Sequence, residues 1–330
     1  MINQFILFIP LIYFLLLLSC QLGKLFNFID TPTARKIHQS AVPLTGGLGI
    51  FLSIIVGVWI FYFDLIYLNF VFTGFFILLI GVLDDKYQLN PINRLLLQII
   101  LITYFINEHG ITIPYLFEIN GIMFNLGGAS LIFTTLSIML IIHSSNYSDG
   151  IDGLLSSIFI TSLLSLCLLQ YFLYGSFDLE IMVLAIPLVI FLFFNFSLRF
   201  FPKMFLGDGG SNLLGYYLAC TVIYSAYFSK LNLDPLIAMW ALAYIIFEFL
   251  STNLIRILDQ RKVFQPGNDH IHYFFLKRLG NVFKVNLVII SINIFFIIIG
   301  FIFWIFSPVL SAIMFPISFV CYFYFRRKLV

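Results

Sequence analysis

Apolar runs of about 20 residues recur from one end of this chain to the other, broken only by short polar stretches. A bilayer offers backbone N–H and C=O groups no water, so runs of that length must close their hydrogen bonds inside helices. Barrel strands are about ten residues long and alternate in polarity, which does not fit these runs. Composition agrees: 62% of the 330 residues are hydrophobic and 10% are charged, whereas soluble domains run near one half and one quarter. The expected fold is an all-α polytopic membrane protein, one integral membrane domain over 1–330 with no room for a soluble domain. The first run, Ile2 to Leu22, has no basic residue before it and no clear small-residue cleavage site after it. It reads as a retained helix.

Successive apolar windows place helices at 2–22, 46–63, 65–83, 92–107, 130–147, 154–174, 179–196, 209–229, 235–255, 285–305 and 308–325, eleven in all. Numbering the linkers alternately puts all but Lys230 of the 17 basic residues on one side. The positive-inside rule makes that side cytoplasmic, with the N-terminus outside and the C-terminus inside. Residues 110–129 alternate weakly around Asn120-Gly121, which predicts a small external β-hairpin. Cys20, Cys167, Cys220 and Cys321 stand singly in apolar runs without metal spacing and read as packing residues. A net charge of +2 says little, and no nucleic-acid partner is expected.

Four acidic stretches fall on the cytoplasmic rim in this sorting. Acids at the end of a membrane segment are costly unless they face water, a metal or a partner. In Asn146-Tyr147-Ser148-Asp149-Gly150-Ile151-Asp152-Gly153, the two carboxylates at i and i+3 share one side if the backbone is helical. Asp84 and Asp85 close the third run. Adjacent carboxylates repel unless a divalent cation or a shared proton relieves them, and magnesium is typically held by one or two carboxylates plus substrate phosphates. Gly207-Asp208-Gly209-Gly210-Ser211 opens the eighth run, where free amides and the helix dipole favour an anion. Asp208 repels an anion unless a cation sits between, which argues for a metal-bridged phosphate. Phe205, just ahead, can stack on a base or simply pack.

Asp269-His270-Ile271-His272 lies near Arg256, Arg261 and Lys262. With no third zinc-spaced ligand, phosphate contact or proton transfer suits these histidines better than zinc. The loop 23–45 carries Arg35, Lys36 and His38 and then Pro43-Leu44-Thr45-Gly46-Gly47, a set of cations and backbone N–H groups suited to an anion. Glu248, inside the ninth run, is expected either to pair with Arg256 or to face the pocket.

Together these stretches resemble the polyprenyl-phosphate N-acetylhexosamine-1-phosphate transferases, glycosyltransferase family 4. The resemblance rests on Arg35-Lys36-Ile37-His38 with Pro43 to Gly47, on Gly81-Val82-Leu83-Asp84-Asp85, on Asn146 to Gly153, on Phe205 to Ser211 and on Asp269 to His272, in family order. It implies a fold of ten or eleven helices with a cytoplasmic cleft in the bacterial inner membrane, where UDP-N-acetylhexosamine meets undecaprenyl phosphate with Mg²⁺ or Mn²⁺. By the resemblance, Asp208 is the metal ligand, Asp84 and Asp85 handle the lipid phosphate, and Asn146, Asp149 and Asp152 contact the nucleotide sugar. Phe205 falls where the family stacks uracil, and Tyr273 replaces the third histidine of the family motif. The full candidate set is Asp84, Asp85, Asp208, His270 and His272 for catalysis, with Lys36, Asn146, Asp149, Asp152, Asn195, Phe205 and Arg256 for substrate. Asp-His-Ile-His points to the branch serving surface polysaccharide, commonly with UDP-GlcNAc. UDP-GalNAc or a 6-deoxy-N-acetylhexosamine donor and a homodimer are left open. From another class, a secondary transporter with rim carboxylates is the alternative, although transporters usually hold such groups near the midplane and show repeats.

Overall fold

The structure is a computed structural model, and it describes residues 2–32, 40–63, 65–119, 121–263 and 267–329. Helices make up most of it. In chain order they are α1 (Ile2–Leu25), α2 (Gly46–Phe61), α3 (Leu65–Tyr87), α4 (Pro91–His109), α5 (Ser130–Ser148), α6 (Leu154–Tyr174), α7 (Leu179–Asn195), α8 (Gly207–Tyr227), α9 (Pro235–Ala238), α10 (Ala243–Leu258), α11 (Ile271–Leu279), α12 (Val282–Phe306) and α13 (Pro308–Leu329). Among the described residues, seven helical stretches are long and apolar enough to cross a bilayer, and Gly46–Phe61 and Leu179–Asn195 are shorter apolar helices. The chain is an integral membrane protein.

Every apolar window carries a helix, with informative differences at the edges. The ninth window is interrupted, because α9 passes through the 3-10 turn Met239–Leu242 before α10 begins. Helix α3 runs on through Asp84 and Asp85 to Tyr87, and α8 takes in Asp208 from its first turn, so both acidic motifs belong to helix ends. The windows omit α11. It buries Ile271 and His272 and carries Lys277 and Arg278 in its last turn, a half-polar helix that a search for uniform apolarity passes over.

The bundle is organised around α8, which is buried along almost its whole length and packs chiefly on α3 and α5, then on α2. Lipid is as apolar as a leucine side chain, so helices associate through van der Waals contact and small residues let them approach. A Cβ added to Gly47 would lie 2.3 Å from the Gly210 Cα, and one on Gly81 would lie 2.4 Å from the Gly209 Cα. On Gly215 it would meet the Ile142 Cα of α5 at 2.6 Å. Hydroxyls inside the helices bond a carbonyl one turn back, as Ser144 does to Leu140 (2.6 Å) and Thr221 to Tyr217 (2.7 Å). Such bonds satisfy a polar side chain where water is absent.

A backbone ladder holds the segment before α8. Strand β1 (Ile29–Asp30) pairs antiparallel with β2 (Val42–Pro43). The Phe205 N–H donates to the Pro43 carbonyl (2.9 Å), and the Gly46 and Gly47 N–H groups donate to the carbonyls of Phe205 (2.9 Å) and Leu206 (3.0 Å). These glycine amides therefore bond backbone and not a ligand. At the other end of α8, β3 (Tyr115–Ile119) and β4 (Ile122–Asn125) form an antiparallel hairpin with Gly121 at φ 80°. Tyr227 Oη donates to the Tyr115 carbonyl (2.7 Å) and ties that hairpin to the helix. With 21 residues, α8 rises about 30 Å, and Asp208 and the hairpin stand at its opposite ends. All four cysteines are free; Cys20, Cys167 and Cys220 are buried and Cys321 is exposed.

Candidate active site

Asp208 lies in the first turn of α8, just after Gly207, whose φ of 77° is a conformation open chiefly to glycine. The Asp85 carboxylate, from the last turn of α3, accepts the N–H groups of Asp208 (3.1 Å) and Gly209 (3.3 Å). Amides in a first turn have no intrahelical partner, and a carboxylate there also meets the positive end of the helix dipole. Amides that the sequence reading assigns to an anionic ligand are thus taken by a side chain of the protein itself. Asp84 is balanced differently. Arg94 of α4 pairs with its Oδ2, and the Leu89 N–H donates to its Oδ1 (2.9 Å). The adjacent carboxylates therefore have separate protein partners.

Arg94 also reaches Asp208, its Nη1 lying 3.7 Å from Oδ2. In the sequence it is merely one of many cations on a basic side. The available signal is position: it lies ten residues past Asp84, in the first turns of the next helix, where its guanidinium can return to the acid pair. Asn146 of α5 completes this group, donating from Nδ2 to Asp208 Oδ1 and to Ser211 Oγ, both at 3.1 Å. Four helices, α3, α4, α5 and α8, thus meet at Asp208.

The stretch after Asn146 departs from the helical expectation. Helix α5 ends at Ser148 and α6 starts at Leu154, so Asp149 and Asp152 occupy an irregular turn and do not share a helix face. Asp152 pairs with Lys203, whose ammonium also lies 5.3 Å from the centroid of the half-buried Phe205 ring. Asp149 is solvent-exposed. The protein packed around it, and then the charges of Asp208, Asp85 and Asp152, push its carboxyl above the ordinary range. Asn195 is buried and braces this turn from α7: its Oδ1 accepts the Gly153 N–H (2.5 Å) and its Nδ2 donates to the Met204 carbonyl (2.9 Å). Asn195→Leu leaves both backbone groups without these partners and is expected to cost about 2 kcal/mol or more. A thermal melt in detergent checks this, and an unchanged midpoint would show that the two bonds contribute nothing.

The histidine stretch closes the other flank. Arg256 grips Asp269 with two bonds, Nε to Oδ2 (2.9 Å) and Nη2 to Oδ1 (2.6 Å), and sends Nη1 to the Val263 carbonyl (2.7 Å). Those bonds hold the Asp269 carboxyl down at about 2. His270 and His272 stack with parallel rings, centroids 5.4 Å apart, and both are buried. Burial first, then His270, pushes His272 down to about 3, so it is neutral at physiological pH. A Cβ on Gly150 would meet His272 Nε2 at 2.2 Å, and Tyr273 Oη donates to the Gly150 carbonyl (3.2 Å). His272 and Tyr273 therefore lie against the Asp149 turn. Glu248 does not pair with Arg256 but with Arg326 of α13, Nε to Oε2 at 2.9 Å.

Asp84, Asp85, Asn146, Asp149 and Asp208 come together, with Asp152, Lys203 and Phe205 on one flank and Arg256, Asp269, His270 and His272 on the other. Asn195 supports them from outside. Lys36, with Arg35 and His38, lies outside the described residues. Among the described residues, no group of three or more His, Cys, Asp and Glu side chains is arranged to hold a metal ion. The donors at Asp208 are oxygens, the chemistry that magnesium and manganese take, and magnesium asks the protein for only one or two carboxylates.

Membrane-crossing helices that gather aspartates, an arginine and an asparagine at one end of a buried central helix define a polytopic membrane protein with a charged cluster at its rim. The sequence profile of glycosyl transferase family 4 matches residues 67–226, from α3 to the end of α8. Over those helices this chain is similar to that family. It is 29% identical to a probable undecaprenyl-phosphate N-acetylglucosaminyl 1-phosphate transferase of Bacillus subtilis, over 86% of this chain and 77% of the relative. An undecaprenyl-phosphate alpha-N-acetylglucosaminyl 1-phosphate transferase of Thermotoga maritima is 27% identical over 87% of this chain and 86% of its own length. One from Haemophilus influenzae so named is 26% identical, over 78% and 74%.

Proposed function

We propose that this protein transfers a sugar-1-phosphate, GlcNAc-1-phosphate before others, from a UDP-N-acetylhexosamine to undecaprenyl phosphate. A lipid phosphate oxygen attacks the β-phosphorus, the bond from that phosphorus to the α–β bridging oxygen breaks, and UMP leaves with the electron pair. One pyrophosphate linkage replaces another, so the reaction is nearly balanced in free energy. Catalysis then rests on positioning and charge. The observation that carries the reading is the meeting of α3, α4, α5 and α8 at Asp208, with Arg94 and Asn146 on its carboxylate.

Asp208 would hold Mg²⁺ or Mn²⁺, whose charge would also favour the ionised forms of Asp85 and Asp149 beside it. When bound, the cation draws charge from the diphosphate and from the departing UMP. Asp84, steadied by Arg94, faces the lipid phosphate; Asp85 holds the first turn of α8 in place. Asn146, Asp149 and Asp152 contact the nucleotide sugar, Lys203 meets its phosphates, and Phe205 stacks on uracil, while Arg256, buried and bound to Asp269, supports the histidine turn. Eleven spans, with the acids beneath the inner leaflet of the cytoplasmic membrane, give both anionic substrates access to one cleft. Supporting that orientation are the one-sided distribution of Lys and Arg and the separation of hairpin and acids by the length of α8.

The test is release of UMP from UDP-GlcNAc by purified protein with undecaprenyl phosphate. We expect dependence on the lipid, loss with a chelator and recovery with Mg²⁺. UMP released equally without the lipid, or none under any donor of a UDP-sugar panel, overturns the reading.

A further inference from the structure

The C-terminal helix ends in Arg326-Arg327-Lys328, three cations that in sequence look like membrane-face anchors. The structure separates them: Arg327 is exposed, while Arg326 is 1% exposed. Its Nε donates to Glu248 Oε2 (2.9 Å), and its Nη2 donates to Thr252 Oγ1 (2.9 Å) and to the Asp269 carbonyl (2.7 Å). Glu248 is equally buried. It accepts Tyr322 Oη on Oε2 (2.7 Å) and the Ile271 N–H on Oε1 (3.0 Å), with His270 Nδ1 3.6 Å from Oε1. One turn of chain, Asp269 to Ile271, is thereby held at both ends, its leading carbonyl by Arg326 and its trailing N–H by Glu248. Arg256 takes the Asp269 carboxylate from the same helix as Glu248.

A buried ion pair is a poor way to add stability, since well-packed apolar residues of similar volume often do as well. Its forked geometry serves better to fix a backbone. What is fixed here bears His270 and His272, and His272 lies against Gly150 between the Asp149 and Asp152 turn positions. We infer that Arg326 and Glu248 are positioning residues for the nucleotide-sugar side of the cleft, so that the end of the chain's last helix sets the place of the histidine turn. The inference rests on the proposed donor contacts at Asp149 and Asp152.

The measurement is steady-state kinetics with both substrates varied, together with UDP binding by calorimetry and a thermal melt in detergent. Arg326→Gln is expected to raise the UDP-sugar KM and weaken UDP binding about tenfold to a hundredfold, the usual cost of losing an orienting partner behind a site. The KM for undecaprenyl phosphate should stay within about twofold, because Asp84 and Arg94 do not touch this network. Arg326→Lys keeps the charge without the fork and should recover part of the loss. Arg327→Gln, one residue on and exposed, should match the parent protein. If Arg326→Gln yields no folded protein, Glu248→Met with Arg326→Met removes both charges and is judged by the same KM ratio. A folded variant with both KM values unchanged, or one with less folded protein but normal KM, overturns the inference. If Asp208→Asn abolishes transfer while Arg326→Gln behaves normally, only this inference fails; if Asp208→Asn is also fully active, the proposed function fails with it.

Discussion

Asp208→Asn is expected to lower sugar-phosphate transfer by about 10³-fold, the scale seen when one preorganised charge-stabilising group is removed from a site of this kind. The replacement is nearly isosteric, and its amide oxygen can still accept from Asn146, so the turn at the head of α8 has no packing reason to move. What goes is one negative charge. Arg94 loses an attraction at 3.7 Å and keeps its pair with Asp84, while the proposed cation loses its principal ligand. Turnover should therefore collapse with little change in the thermal midpoint, and excess Mg²⁺ should restore only part of it. The check is UMP release at several Mg²⁺ concentrations, beside a melt of the same preparation. Near-parental turnover by folded Asp208→Asn protein would remove Asp208 from the metal site and with it the central element of the mechanism.

How much of this was legible beforehand depends on whether a residue's role is declared by its near neighbours in the chain. Helices of about 20 apolar residues declare themselves, because a bilayer imposes one length and one polarity. The half-polar α11 does not, since burying one face and exposing the other erases the uniform run. Acidic motifs at helix ends were equally readable, and Asp85, Asn146 and Asp208 do converge. Their partners were not. Arg94, Lys203 and Arg326 each meet an acid on another element, and the partner of Arg326 is 78 residues away. Nothing local distinguishes buried Arg326 from exposed Arg327 beside it. The same lack of distant information made the Asp149–Asp152 spacing look helical, when a glycine turn braced by Asn195 sends the two carboxylates to different neighbours. Glycines misled in a further way. Gly46, Gly47, Gly209 and Gly210 resemble ligand-binding amides, but here they bond other backbone, donate to a capping carboxylate or let helices touch.

Those contacts lead to the other large expected effect. Gly81→Ala should lower turnover about a hundredfold, the loss that a displacement near 1 Å can produce at a reacting centre. Its new Cβ would lie 2.4 Å from the Gly209 Cα and 2.8 Å from the Asp208 carbonyl oxygen. Both are backbone atoms and cannot swing aside as a side chain would, so α3 and α8 must part by roughly the shortfall from ordinary van der Waals contact. Asp85 rides on α3 one turn further on, and its bonds to the Asp208 and Gly209 amides span that same interface. Separation therefore strains the capping bonds and shifts Asp208 relative to Asp84 and Arg94, with overpacking adding about 1–3 kcal/mol of destabilisation. Gly128→Ala supplies the control, since a Cβ there meets nothing within 4 Å. Melting and UMP release should both fall for Gly81→Ala and neither for Gly128→Ala. A Gly81→Ala protein that melts and turns over like its parent would mean that α3 and α8 do not meet as closely as the geometry of the site requires.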